Sequence, residues 1–255
     1  MSPSEMDTQA LFKKNNIETY HYQITISKMN IHFVRVGKKE FPTVIFVHGS
    51  PGSWDNYRKF MIDKSLLSKY QLISLDRPGF GKSQKGKPVI ELKKQAEVIH
   101  GIIRYLGIRV PVILVGHSYG GPVVVRTAVD YPEEIGKLVL VAASVSPDLE
   151  VIEWYQKVAN WRFVRWILPS FLDVSNQEIL PLKKELLEMI PLWKQIRIPV
   201  VIIQGDDDSL VPPGNAYFAK EKLIHSEVKF IMVKDLNHFV PWKRPDLIMN
   251  SILDR

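Results

Sequence analysis

Gly116-His117-Ser118-Tyr119-Gly120 follows Val110-Pro111-Val112-Ile113-Leu114-Val115, an apolar, β-branched run that reads as a buried parallel strand. It precedes Gly121-Pro122-Val123-Val124-Val125-Arg126-Thr127-Ala128-Val129-Asp130, which reads as the start of a helix. A serine on a sharp strand-to-helix turn, with glycines two positions to either side, has the pattern of a nucleophile elbow. The turn is strained and backbone passes close by, so bulky side chains are excluded there. Ser118 Oγ would project from the carboxyl edge of a sheet.

Outward from this stretch, strands and helices alternate. Tyr20 to Ser27 and Ile31 to Val36 read as an antiparallel hairpin, because the turn between them is too short for a crossover. Strands are expected at 43–47, 70–76, 110–115, 137–143, 199–204 and 227–233. Helices are expected at 53–68, 90–106, 121–130, 215–223 and 245–253. This alternation predicts a mostly parallel sheet covered on both faces, with ligands bound outside the carboxyl ends of its strands. Residues 147–193 interrupt it. They carry no strand signal, hold Trp154, Trp161, Trp166 and Trp193, and are broken by Pro169 and Pro181. They read as a cap of two or three short helices on a core formed by 1–146 and 194–255. Trp154, Trp161 and Trp166 are expected to line a substrate pocket on its inner face. The alternative is that these tryptophans, with Lys157, Arg162 and Arg165, rest in a membrane interface.

A serine hydroxyl needs a base, and the base needs a carboxylate to fix its tautomer. Of seven histidines, His21, His32, His100 and His225 read as solvated or packing residues. His117 adjoins Ser118 and should point away from it. His238, in Asp235-Leu236-Asn237-His238-Phe239 after the last strand, is the expected base. Gly205-Asp206-Asp207-Asp208 offers three adjacent acids, and like charges cannot share one buried site. Asp208 is the expected partner by spacing, with Asp206 and Asp207 as fallbacks. The chain order Ser118, Asp208, His238 is that of nucleophile-elbow hydrolases. The N–H groups of Tyr119 and Ser50 are the expected oxyanion donors, since Pro51 in His48-Gly49-Ser50-Pro51-Gly52 has none. His48 is expected to border the pocket. Asp76-Arg77-Pro78-Gly79-Phe80-Gly81-Lys82-Ser83 is too short for a phosphate-binding loop and reads as a structural turn beside the oxyanion loop.

Bulk composition narrows the field. The 255 residues are 45% apolar and 24% charged, ordinary for one globular α/β domain. The absence of cysteine excludes disulfides, thiol catalysis and cysteine metal sites. The net charge of +7 comes from scattered lysines, densest at Lys82, Lys85 and Lys87, with no DNA-reading motif, so no nucleic-acid partner is expected. Residues 1–10 carry no secretory pattern, and no run reaches the ~18 apolar residues of a membrane span, so a cytoplasmic location is expected.

Together, His48–Pro51, Asp76–Ser83, Gly116–Gly120, Gly205–Pro212 and Asn237-His238-Phe239 resemble the motifs of α/β-hydrolase-fold serine hydrolases with a small helical cap. The resemblance runs from about Gln23 to the C-terminus, apart from the cap. It implies an eight-stranded, mostly parallel sheet with an antiparallel edge region, a metal-free triad and no cofactor. Ser118 stands where epoxide hydrolases and haloalkane dehalogenases carry an aspartate. The loop at His48 and the elbow also depart from the proline iminopeptidase patterns. The expected activity is hydrolysis of a carboxylic ester of a small, apolar substrate through an acyl-enzyme. The alternatives are C–C bond (β-diketone) hydrolysis, cofactor-free perhydrolysis, or a small-molecule receptor without turnover.

Overall fold

The apolar runs at Thr43–Val47, Gln71–Leu75 and Val200–Gly205 are buried along their whole length, as strands covered on both faces must be. A computed structural model describes residues 5–151 and 154–254. Its strands are β1 Tyr20–Ile26, β2 Met29–Val36, β3 Thr43–Val47, β4 Gln71–Leu75, β5 Val112–His117, β6 Ile135–Val141, β7 Val200–Gly205 and β8 Val228–Val233. They form one sheet in the order β1-β2-β4-β3-β5-β6-β7-β8. The pairs β1–β2 and β2–β4 are antiparallel and every other pair is parallel. Edge strand β1 alternates between exposed and half-buried residues, the mark of an antiparallel strand with one wet face.

The helices are α1 Glu5–Lys14, α2 Arg58–Met61, α3 Lys64–Leu67, α4 Leu92–Leu106, α5 Gly120–Asp130, α6 Trp154–Ala159, α7 Arg162–Ile167, α8 Ser170–Ile179, α9 Leu182–Met189, α10 Gly214–Lys222, α11 Val240–Lys243 and α12 Pro245–Leu253. The sheet separates two hydrophobic cores. One joins it to α4, α5 and α10, with Ile99, Ile102, Val124 and Ala219 among the buried residues. The other joins it to α2, α3 and α12 through Phe60, Leu66, Ile248 and Ile252. Each fully buried isoleucine or phenylalanine contributes about 1.5–3 kcal/mol. Gly107, left-handed at φ +59, ends α4.

Two local expectations change. Residues 53–68 form not one helix but a 3₁₀ turn at Trp54–Tyr57, then α2 and α3. Asp63 accepts the Leu66 N–H at 2.9 Å and starts a new helix, which ends the one before. The described residues of 147–195 hold four α-helices rather than two or three, flanked by 3₁₀ turns at Pro147–Leu149 and Ile190–Gln195. Pro169 and Pro181 sit at the N-caps of α8 and α9, and a further break falls at Trp161, whose extended backbone caps α7. Helix α1 had no strong periodic signal. Phe12 fastens it, buried and stacked on Trp54 at 6.1 Å. Among the described residues no helix is long and apolar enough to cross a membrane.

Candidate active site

Strand β5 ends at His117 and α5 starts at Gly120, which leaves Ser118 at the turn with φ +53. A left-handed serine costs about 1–3 kcal/mol, so its surroundings must hold it there. Ser118 N–H donates to Val141 O at 3.0 Å, and Ser118 O accepts from Gly121 N–H at 2.9 Å and Ser144 N–H at 3.2 Å. The flanking glycines are forced by space. A β-carbon on Gly120 would stand 2.2 Å from Val47 O, and one on Gly116 would stand 2.5 Å from Gly120 O. Ser118 borders a cavity of about 640 Å³, and His238 borders the same cavity.

His238 Nδ1–H donates to Asp208 Oδ2 at 2.8 Å. Asp208 is buried. Its Oδ2 also accepts from Gln204 Nε2 at 3.0 Å, and its Oδ1 accepts from Leu210 N–H at 3.0 Å and Val211 N–H at 2.8 Å. Asp206 and Asp207 are exposed, so one of the three acids is drawn inward and two stay in water. His117 does more than point away from Ser118. Its Nε2–H donates to the His238 carbonyl at 3.2 Å, and its ring packs on His238 at 4.8 Å and on Trp242 at 5.4 Å. Burial and the neighbouring His238 imidazole push its pKa down to about 3. A neutral ring therefore props the loop that carries His238. Its adjacency to Ser118 was the one sequence cue to this.

The loop after β3 lies against Ser118, since a β-carbon on Gly49 would stand 2.8 Å from Ser118 Cβ. Ser50 lies in this loop, and its Oγ shares a 2.7 Å hydrogen bond with Ser175 Oγ of α8. Tyr119 follows Ser118 at the N-cap of α5. His48 borders the cavity, but both its ring nitrogens are committed: Nδ1–H donates to Gly49 O at 2.7 Å and Nε2 accepts Arg77 N–H at 2.9 Å. Burial and the Arg77 charge hold its pKa well below the usual imidazole range. Arg77 is wholly buried. Its guanidinium donates to His48 O and Gly49 O at 2.9 Å each, to Gln95 at 2.9 Å, and to both carboxylate oxygens of Glu178 on α8 at 2.8 and 2.7 Å. The turn at Asp76–Ser83 thus fixes the Gly49 loop and ties α8 to it. His32 Nδ1–H, Trp54 N–H and Lys82 N–H all donate to the Asp76 carboxylate. His100 stacks on Tyr131 at 4.1 Å.

The cavity wall corrects the expectation for the tryptophans. Trp154, Trp161 and Trp166 are 72%, 65% and 83% exposed, and none borders the cavity. In α6 and α7, Gln156, Val158, Val164 and Arg165 are half-buried, while Lys157 is exposed along with the tryptophans. Trp193 is buried, edge-on to Phe218. The wall is built instead from Tyr57, Leu149, Glu150, Ile179, Leu182 and Trp242, among others. Trp242 was readable only as a neighbour of His238. Glu150, in an unremarkable loop, gave no signal. Its carboxylate accepts from Ser144 Oγ, and burial raises its pKa. No lysine or arginine is among the described residues that line the cavity.

The model of the alpha/beta hydrolase fold matches residues 42–179. The uncharacterized hydrolase YugF of Bacillus subtilis is 24% identical over 270 residues, covering 91% of this chain and 96% of its own. The 2-hydroxy-6-oxo-6-phenylhexa-2,4-dienoate hydrolase of Comamonas testosteroni is 34% identical over 274 residues, covering 90% and 92%. The crystal structure of Cfl2 from Burkholderia cenocepacia is similar with a TM-score of 0.76 at 19% identity, covering 92% and 95%. With its strand order, its strained serine and these matches, the chain belongs to the alpha/beta hydrolase fold family and is a hydrolase.

Proposed function

We propose that the chain hydrolyses carboxylic esters of small, uncharged substrates through an acyl-enzyme. Ser118 Oγ attacks the ester carbonyl carbon, and its proton passes to His238 Nε2. Asp208 holds the imidazole in the required tautomer and stabilises the imidazolium. The N–H groups of Ser50 and Tyr119 receive the oxyanion. Collapse expels the alcohol, which takes the proton from His238. Water then attacks the acyl carbonyl, with His238 as base, and releases the acid and Ser118.

The observation that carries this reading is the pairing of a left-handed Ser118 with a His238 already oriented by Asp208, both on one cavity. A volume of about 640 Å³ suits a small organic molecule. The cavity chemistry favours an ester over the substrate named for the Comamonas relative. A dienoate is an anion and calls for a cationic partner in a desolvated site. This cavity offers Glu150 and, among its described lining, no lysine or arginine.

The test is labelling with a fluorophosphonate, together with hydrolysis of 4-nitrophenyl butyrate. Wild type should label at Ser118 and turn over. The S118A variant should do neither. Absence of labelling in wild type would overturn the reading. Turnover of a vinylogous diketone carboxylate, with none of the ester, would move the assignment to C–C bond cleavage.

A further inference from the structure

Helices α7 and α8 are amphipathic in the reverse sense for a soluble body. On α7, Phe163, Trp166 and Ile167 stand at i, i+3 and i+4 and form one stripe. They are 74%, 83% and 63% exposed. Arg165 of the same helix turns to α8, where its Nε donates to Asp173 Oδ1 at 2.8 Å. On α8 the buried residues include Ser175, Asn176 and Glu178, bonded to Ser50, to the Gln156 carbonyl and to Arg77, while Phe171 is exposed. A helix on a globular body ordinarily buries its apolar stripe. Here the buried side of α8 is mostly polar, with Val174 the apolar exception, and Phe163, Trp166, Ile167 and Phe171 are exposed, as are Trp154 and Trp161.

Charge accompanies this surface. Residues 154–172 include Lys157, Arg162 and Arg165, the last of them paired with Asp173, and no acid. The loop at 79–87 packs on α8. A β-carbon on Gly79 would stand 2.7 Å from Val174 Cγ1, and one on Gly86 would stand 3.7 Å from Ser170 Cβ. That contact brings exposed Lys85 and Lys87 to the rim of the aromatic patch. The densest lysine group, separate in sequence from the cap, thus lies beside α8 and its exposed Phe171.

A second copy of the chain is a poor occupant, because a two-fold contact sets like against like and would oppose the cations of each patch. An anionic bilayer answers both features: indole rings settle at the interface, and lysines reach the headgroups. We propose that the outer face of α6, α7 and α8, with the Lys85–Lys87 loop, docks on an anionic lipid surface. The proposal is independent of the reaction at Ser118.

Flotation with phosphatidylcholine vesicles, with and without phosphatidylglycerol, tests it. Wild type should float with the mixed vesicles and about tenfold less with phosphatidylcholine alone or at high salt. The double variant W161A/W166A should lose about tenfold in binding to the mixed vesicles. The variant K85E/K87E should lose the preference for anionic lipid. Both should hydrolyse a soluble 4-nitrophenyl ester as wild type does, which reports that they fold. No flotation of wild type, or undiminished flotation of W161A/W166A, overturns the proposal. A wild-type dimer that W161A/W166A dissociates, without vesicle binding, overturns it in favour of a second copy.

Discussion

Asp208 accepts from Gln204, Leu210, Val211 and His238, so its buried charge is matched by donors on both oxygens. Replacing it with asparagine keeps the volume but puts an amide where a charge orients the imidazole. On the proposed mechanism, D208N should lower kcat for a 4-nitrophenyl ester by about 10⁴-fold, with the far-ultraviolet dichroism unchanged. Glu150 makes a second prediction. Burial raises its pKa, so the fold favours its neutral form, and that contribution is present at low pH and fades as pH rises through the raised value. The variant E150Q keeps an acceptor for Ser144 and should raise Tm at pH 8 while leaving it unchanged at pH 4. At this scale repulsion between adjacent carboxylates, a local argument, implied that only one of the three acids is drawn inward, and it is Asp208 that is buried while Asp206 and Asp207 are exposed. Glu150 stayed hidden, because its role comes from a wall that other segments enclose.

Helix α8 is joined to the body by a buried ion pair. Glu178 is the anionic partner of Arg77, and Arg77 also holds the carbonyls of His48 and Gly49. The variant E178Q leaves a buried guanidinium without its countercharge, a loss of about 3–5 kcal/mol. Urea unfolding should show it as a lower midpoint at unchanged slope. Ester turnover should fall as well, since the Gly49 loop then loses part of its support, and E178D should restore some of each. The α4 helix and the buried strands were legible because period and composition agreed along their length. The 53–68 segment was not, because one side chain, Asp63, decides where the helix restarts. For α7 and α8, the sequence does not tell which side of the helix turns outward. That direction follows from what Arg77, Ser50 and Asp173 offer to bind, and a single helix does not contain this information.

The whole molecule must keep two buried imidazoles uncharged. An unfolded histidine titrates near 6.5, whereas His117 in the fold is pushed down to about 3 and His48 shifts the same way. Between those values the unfolded chain binds protons that the folded chain refuses. Stability is therefore full above about pH 6.5 and falls as pH drops toward 3, by about 1.4 kcal/mol per pH unit for one such histidine. Urea midpoints at pH 7.5, 6 and 5 should trace that loss, and H117Q, which keeps the donor to His238 O, should flatten it. Sheet architecture was legible at this scale, because alternation of strand and helix admits few topologies. The antiparallel hairpin at its edge was legible from the short turn at Lys28. The strand order has one more consequence. The serine stands on the fifth strand made, while its imidazole arrives only after the eighth, and Tyr70 Oη reaches Ile252 O at 3.0 Å to tie down the final helix. On the proposed mechanism, a chain that has made only the first five strands carries a hydroxyl with nothing to deprotonate it, and chemical competence waits for the segment that follows the eighth.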